Sequence, residues 1–143
     1  MKYLLDTCLV SELIKPNPDS AVTAWVSAQQ ESNLYLSVLT LGELRSGVER
    51  LQDGRKRLRL ANWLDTDLKL RFSGRLLPID DVVVERWGIV TAQAKAKGMP
   101  IPVIDGLIAA TALVHGLTLV TRNVSDMQAS GVFLFNPWVS EFQ

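Results

Sequence analysis

Met1-Lys2-Tyr3-Leu4-Leu5-Asp6-Thr7-Cys8-Leu9-Val10-Ser11-Glu12-Leu13 opens the chain and decides its fold class. Tyr3, Leu4 and Leu5 form an apolar run without polar alternation, the pattern of a short strand buried on both faces of a parallel sheet. Asp6 ends that run, and from Thr7 onward Leu9, Val10, Leu13 and Ile14 fall at helical spacing. Asp6 therefore stands where a strand hands over to a helix, at the carboxyl edge of the sheet, where open α/β folds bind their ligands. A plain structural role suits it equally, because aspartate is a favoured helix N-cap and complements the positive end of the helix dipole. The rest of the chain decides between the two.

Working outward, Pro16-Asn17-Pro18 stops the first helix, and Asp19 or Ser20 caps a second that carries Val22, Trp25 and Val26. Leu34-Tyr35-Leu36 reads as a second strand. Thr40 and Glu43 have capping-box spacing for the next helix, although Ser37 or Val38 could also precede its start; Leu41, Leu44, Val48 and Leu51 give it one core face. Asp53-Gly54 signals a turn, and Leu60, Leu64 and Leu68 predict one helix from Arg55 to about Phe72. Leu76 to Ile79 reads as a strand kept to an edge or an end by Pro78. Asp80 or Asp81 then caps a helix that ends near Gly98. The stretch from Val103 to Val114 is nearly all apolar and predicts the most buried helix, followed by strands at Leu117 to Thr121 and Gly131 to Phe135. Strands alternate with helices and no repeat or linker intervenes, so the expectation is a single α/β domain over residues 1–143.

Bulk composition narrows the chemistry. With 143 residues, 48% hydrophobic and 21% charged, the chain suits a soluble globular domain with a sizeable core. No apolar run nears the ~20 residues of a membrane span. Lys2 followed by three apolar residues and Asp6 is too short and too acidic for a signal peptide, so a cytoplasmic protein with no membrane partner is expected. Cys8 is the only cysteine and His115 the only histidine, which excludes an internal disulfide, a thiolate zinc site and a multi-histidine centre. Cys8 reads as buried filler and His115, before Gly116, as a helix-end residue. Carboxylates, hydroxyls and cations remain. Fifteen basic residues balance fifteen acidic ones, so any contact with nucleic acid is local or a partner supplies part of the charge.

Three acids stand at boundaries: Asp6 after the first strand, Glu43 beside the core face of its helix, and Asp105 at the start of the most apolar helix. The strand ending at Thr121 delivers Arg122-Asn123-Val124-Ser125-Asp126 to the same sheet edge. Each has a bland reading as a cap, a solvated acid or a turn residue. Together they would form a cluster of like charges that raises its own pKa values unless a divalent cation offsets them. Oxygen donors select Mg²⁺ or Mn²⁺, and such an ion activates water and orients a phosphodiester for hydrolysis.

The segments Leu4-Leu5-Asp6-Thr7, Thr40-Leu41-Gly42-Glu43-Leu44-Arg45-Ser46-Gly47, Asp105-Gly106-Leu107-Ile108-Ala109-Ala110-Thr111-Ala112 and Thr121-Arg122-Asn123 resemble the ordered motifs of PIN-domain ribonucleases. Among these the chain is most similar to the VapC toxins of VapBC pairs, in particular the FitB-like subgroup, which Phe135-Asn136-Pro137-Trp138 also resembles. The resemblance spans essentially the whole chain. It implies a three-layer α/β/α PIN-like domain with a central, mainly parallel sheet, and a Mg²⁺-dependent (or Mn²⁺-dependent) endoribonuclease. Asp6 and Asp105 match the metal-binding aspartates, Glu43 the third catalytic acid, and Thr121 a supporting hydroxyl. Where the family usually carries a fourth acid after Thr-Arg, this chain has Asn123, and Asp126 lies three residues further on.

The family also implies a homodimer, an RNA substrate, and neutralisation by a VapB/FitA-like antitoxin through which the complex binds promoter DNA. An acidic cleft would accept an arginine from such a partner. Arg50, Arg55, Lys56, Arg57 and Arg59 form a basic run that either contacts RNA phosphates or is a solvated helix face. Asn123 motivates a rival reading, a non-cleaving PIN domain that binds RNA or an antitoxin. A phosphoacceptor domain of similar architecture is a third reading, but the opening strand lacks the adjacent acid pair that such a domain needs to hold Mg²⁺.

Overall fold

The computed structural model describes residues 1–139. Five strands form one parallel sheet in the order β3-β2-β1-β4-β5. They are β1 (Tyr3–Leu5), β2 (Leu34–Ser37), β3 (Leu76–Leu77), β4 (Thr118–Val120) and β5 (Leu134–Phe135). The chain steps outward from β1 to β2 and β3, then returns to the other side of β1 for β4 and β5. The reversal places a topological switch point between the carboxyl ends of β1 and β4, where open parallel sheets leave a crevice.

Strand geometry explains why β1 is apolar throughout. Successive side chains face opposite sides of the sheet. Leu5 packs with Leu9, Val22, Leu44, Leu64 and Phe72 on one face, while Leu4 packs with Ile108, Ala112, Leu119 and Met127 on the other. Both leucines are almost fully buried. The first face is covered by α1 (Thr7–Leu13), α2 (Ser20–Ala28), α3 (Val38–Glu49) and α4 (Arg55–Asn62). Past β3 come α6 (Asp81–Ala96) and α7 (Val103–His115), of which α7 covers the second face. The result is the three-layer α/β/α arrangement expected from the alternating pattern, and α7, with six buried residues, is its central helix.

The boundaries follow local chemistry. Asp19 caps α2 by accepting from Ala21 and Val22 N–H, and Asp80 caps α6 by accepting from Val83 N–H. Ser37, the earlier of the possible starts, caps α3 by accepting from Leu39 N–H, so Thr40 lies inside the helix and is fully buried. Gly116 ends α7 in the left-handed region (φ 66°, ψ 35°), and the N–H of Leu117 returns to Ala112 O at 2.9 Å. His115 is exposed in the last turn before that cap.

One helix departs from the sequence reading. After Asn62 the turn widens to a π-helix over Trp63–Leu68, then tightens again in α5 (Lys69–Arg71). Residues four apart overshoot an α-helical turn of 3.6, so a stripe at that spacing drifts around the helix. The wider turn takes up the drift, and Leu64, Leu68 and Phe72 are all buried. The last two strands are also shorter than the sequence pattern suggests, and a short helix, α8 (Val124–Met127), fills the space between them. Among the described residues no helix is long and apolar enough to cross a membrane.

Candidate active site

A short side-chain hydrogen bond bridges the switch point. Asp6 follows β1, Thr121 follows β4, and the fully buried Thr121 hydroxyl donates to Asp6 Oδ2 at 2.7 Å. Asp6 is itself 4% exposed. Its Oδ1 accepts from the Thr7 N–H at 2.8 Å, which makes it the N-cap of α1, and the Cys8 thiol lies 3.6 Å from Oδ2. Asp6 therefore caps α1 and also stands at the crevice of the sheet. Burial, then the neighbouring Asp6 charge, pushes the Cys8 thiol up from its ordinary value, so Cys8 is a neutral packing group that also accepts from the Arg122 N–H at 3.5 Å.

Glu43 is brought to this edge by α3. Its Oε1 lies 2.5 Å from the Thr7 hydroxyl, which also sits 3.0 Å from Thr40 Oγ1. The two consecutive residues Asp6 and Thr7 thus reach across to β4 and to α3 respectively. Sequence reasoning assigned nothing to Thr7 and gave Thr40 only a possible capping-box role, which Ser37 takes instead. The available signal was a hydroxyl next to the boundary acid and a second one three residues before Glu43.

Asp105 occupies the first turn of α7 but does not cap it. Pro102 holds the cap position, with its carbonyl accepting from the Gly106 N–H at 2.8 Å, and the Asp105 carboxylate has no hydrogen-bond partner among the described residues. Burial raises its pKa to about 6, and the charges of Asp6, Glu43 and Asp126 add to the rise in that order. Four carboxylates therefore share one electrostatic field. Next to Gly106 the indole of Trp87 packs so closely that a Cβ there would lie 3.1 Å from it, which fixes α7 against α6 just after Asp105.

Asn123 stands at the N-cap of α8, yet its side chain makes no capping bond; its N–H donates to Thr121 Oγ1 at 3.0 Å. Asp126 lies within α8 and is exposed. Among the described residues no three histidine, cysteine, aspartate or glutamate side chains come close enough to enclose a metal on their own. The acids share one electrostatic neighbourhood, in which Asp6 and Glu43 are held by hydroxyl and amide donors. Oxygen-only donors of this kind suit a hard divalent cation that keeps part of its water shell and takes one or two carboxylates.

A buried carboxylate that the sequence did not single out ties α1 to the turn after β4. Glu12, 5% exposed, accepts from the Asp19 N–H at 3.0 Å, from Lys15 Nζ at 3.0 Å and from Trp138 Nε1 at 3.4 Å. Arg122 approaches the same carboxylate at 3.9 Å while its guanidinium stacks 4.5 Å from the Trp138 ring. This cluster fixes the turn after β4 to the end of α1. The Asp19 amide, then Lys15, holds the Glu12 carboxyl below its usual range.

Comparison with known proteins agrees with this architecture. The PIN domain family matches residues 3–125. The VapC ribonuclease Y4jK of Sinorhizobium fredii is 42% identical over 135 residues, which are 94% of this chain and 96% of the relative. The toxin FitB of Neisseria gonorrhoeae is 40% identical over 135 residues, 94% of this chain and 97% of its own. A solved structure of FitAB bound to the IR36 DNA fragment superposes with a TM-score of 0.93 at 37% identity, covering 97% of each chain. A parallel sheet with its acids at the switch point, matched along almost its whole length by these relatives, places this chain in the PIN domain family.

Proposed function

We propose that this protein is a metal-dependent endoribonuclease that acts as the toxin of a toxin–antitoxin pair. The observation that carries the reading is the geometry at the sheet edge, where Thr121 and the Thr7 N–H hold Asp6, the Thr7 hydroxyl holds Glu43, and Asp105, without a partner among the described residues, is pushed up by burial and by the charges of Asp6, Glu43 and Asp126. A divalent cation would offset that repulsion with every carboxylate ionised, and the oxygen donors suit Mg²⁺, or Mn²⁺ in its place. Asp6 and Asp105 would hold it, with the Asn123 carbonyl or Asp126 completing the set. When bound, the ion supplies positive charge for the phosphodiester oxygens and a water of lowered pKa.

The chain's own residues do the rest. Thr121 fixes Oδ2 of Asp6, and the N–H of Thr7 fixes Oδ1, so this carboxylate meets its ligand without reorganising. Glu43 is anchored through Oε1 on the Thr7 hydroxyl, which leaves Oε2 to accept the proton of the attacking water. The products are a phosphate end and a hydroxyl end, with no covalent enzyme intermediate.

The likeness to FitB and to FitAB on DNA supports a cognate antitoxin that neutralises the protein and carries the complex to promoter DNA. Exposed Val82 and Ile89, seven residues apart on one face of α6, and Val103 and Ile104 at the start of α7 are apolar side chains that a second copy would cover in a cytoplasmic homodimer. Induction in a bacterial host tests the whole reading. Growth arrest with accumulating RNA fragments is expected for the native chain and normal growth for Asp105→Asn. Arrest by both proteins at equal expression would contradict it.

A further inference from the structure

Phe135-Asn136-Pro137-Trp138 leads out of β5, and the cleavage chemistry makes no use of it. The segment is nevertheless firmly placed. Pro137 is buried, and the Trp138 N–H donates to Asn136 Oδ1 at 2.9 Å, a side-chain turn that fixes the backbone. The half-buried Trp138 ring packs on the core that holds Leu9 and Val10 of α1. Its indole N–H donates to Glu12 at 3.4 Å, and its face lies 4.5 Å from the Arg122 guanidinium.

Arg122 is the middle residue of the turn that leaves β4. On one side of it the Thr121 hydroxyl donates to Asp6, and on the other the Asn123 N–H donates back to Thr121 Oγ1. The turn is thus fastened along α1, by Thr121 to the cap residue Asp6, by the Arg122 N–H to Cys8 Sγ at 3.5 Å, and by the Arg122 guanidinium, 3.9 Å from Glu12. Asp6 and Glu12 are six residues apart, about 9 Å of helix. The thiol is a weak acceptor, so the far end of this seam depends on the guanidinium. Glu12 already serves Asp19 and Lys15, and the Arg122 side chain is 54% exposed, so a long ion pair alone holds it poorly. The aromatic face supplies what the ion pair lacks, because a planar guanidinium stacks on it.

We propose that Trp138 is a positioning residue for cleavage: by stacking on Arg122 it holds the turn over residues 121–123 against α1, so that Thr121 keeps its bond to Asp6. The proposal rests on the reading of Asp6 and Asp105 as metal ligands.

The test uses the full-length protein with Mn²⁺ alone as the probe, read from the EPR signal of the free ion. Trp138→Leu leaves an apolar side chain on the core and removes the aromatic face. It should weaken Mn²⁺ binding about tenfold, the lower end of the cost of losing a group that orients a metal ligand. In RNA cleavage its kcat should fall by a similar factor with KM unchanged. Trp138→Phe keeps the face and should retain most of the affinity. In an Arg122→Gln background Trp138→Leu should cost nothing further, because the residue it acts through is already gone. Gly116→Ala, at the opposite end of β4, controls for lost stability and should bind Mn²⁺ like the native chain. Titrations are run at a temperature where melting curves show every variant folded.

Native Mn²⁺ affinity in folded Trp138→Leu overturns the proposal, as does a phenylalanine variant no tighter than leucine. An equal loss in the Arg122→Gln background, or in Gly116→Ala, also overturns it. A raised KM with native Mn²⁺ affinity would make Trp138 an RNA contact instead. Asp6→Asn binding Mn²⁺ as tightly as the native chain would overturn the metal site on which the proposal rests.

Discussion

Thr121→Val tests the bridge across the switch point. The substitution keeps the shape of a fully buried side chain and removes only its hydroxyl. That hydroxyl donates to the Asp6 carboxylate at 2.7 Å and accepts from the Asn123 N–H at 3.0 Å. A hydrogen bond to a charged group contributes ~1.5–3 kcal/mol, and its loss here leaves a buried carboxylate oxygen with only the weak Cys8 thiol. The expected destabilisation is about 2 kcal/mol in urea unfolding. For a chain of this length that corresponds to a fall in Tm of about 6 °C. Cleavage should drop ~10–100-fold, the usual cost of removing a group that orients a metal-binding carboxylate. Thr121→Ser keeps the hydroxyl and deletes one buried methyl, so it should lose about 1 kcal/mol and retain most activity. A valine variant as stable and active as the native protein would refute the reasoning, as would a serine variant no more active than valine.

Further outcomes follow from the same geometry. In metal-free protein Asp105→Asn should be more stable than the native chain above pH 6 and no different below about pH 4. The folded carboxyl, at about 6, lies above its unfolded value of 3.8, so its proton favours the fold and stability is lost as pH rises through that window. Melting temperatures across this range check the sign, and added Mg²⁺ should raise the Tm of the native chain more than that of the variant. Glu12→Gln works in the opposite direction. Its carboxyl is held low in the fold, so the native chain should be the more stable at neutral pH and the difference should shrink as the solution is acidified below about pH 4.5, measured by denaturant midpoints. Gly116→Ala forces a side chain into the left-handed cap of α7 and should cost about 1 kcal/mol in urea unfolding with cleavage unchanged.

Local pattern carried the elements whose signal is contiguous. β1 was legible because three apolar residues end in an acid, and α7 because its apolar run is bounded by Pro102 and Gly116. The acids stood out through their positions at element boundaries, and the order of their motifs carried the family. What pattern could not supply was distance. Whether Asp105 caps its helix or faces the cleft depends on Pro102 having taken the cap, which the residue types alone leave open. The π-helical turn after Asn62 was hidden because its leucines keep a spacing that an α-helix also tolerates. The Glu12 cluster was hidden for a different reason. Its partners include an amide seven residues away and an indole 126 residues away, and no local rule joins them.

The most direct test of the central claim is cleavage of single-stranded RNA by purified native protein and by Asp6→Asn, each assayed with Mg²⁺ and with EDTA. The account predicts products only for the native protein in Mg²⁺, with melting curves showing the variant folded. Cleavage by Asp6→Asn at the native rate, or by the native protein in EDTA, would contradict it.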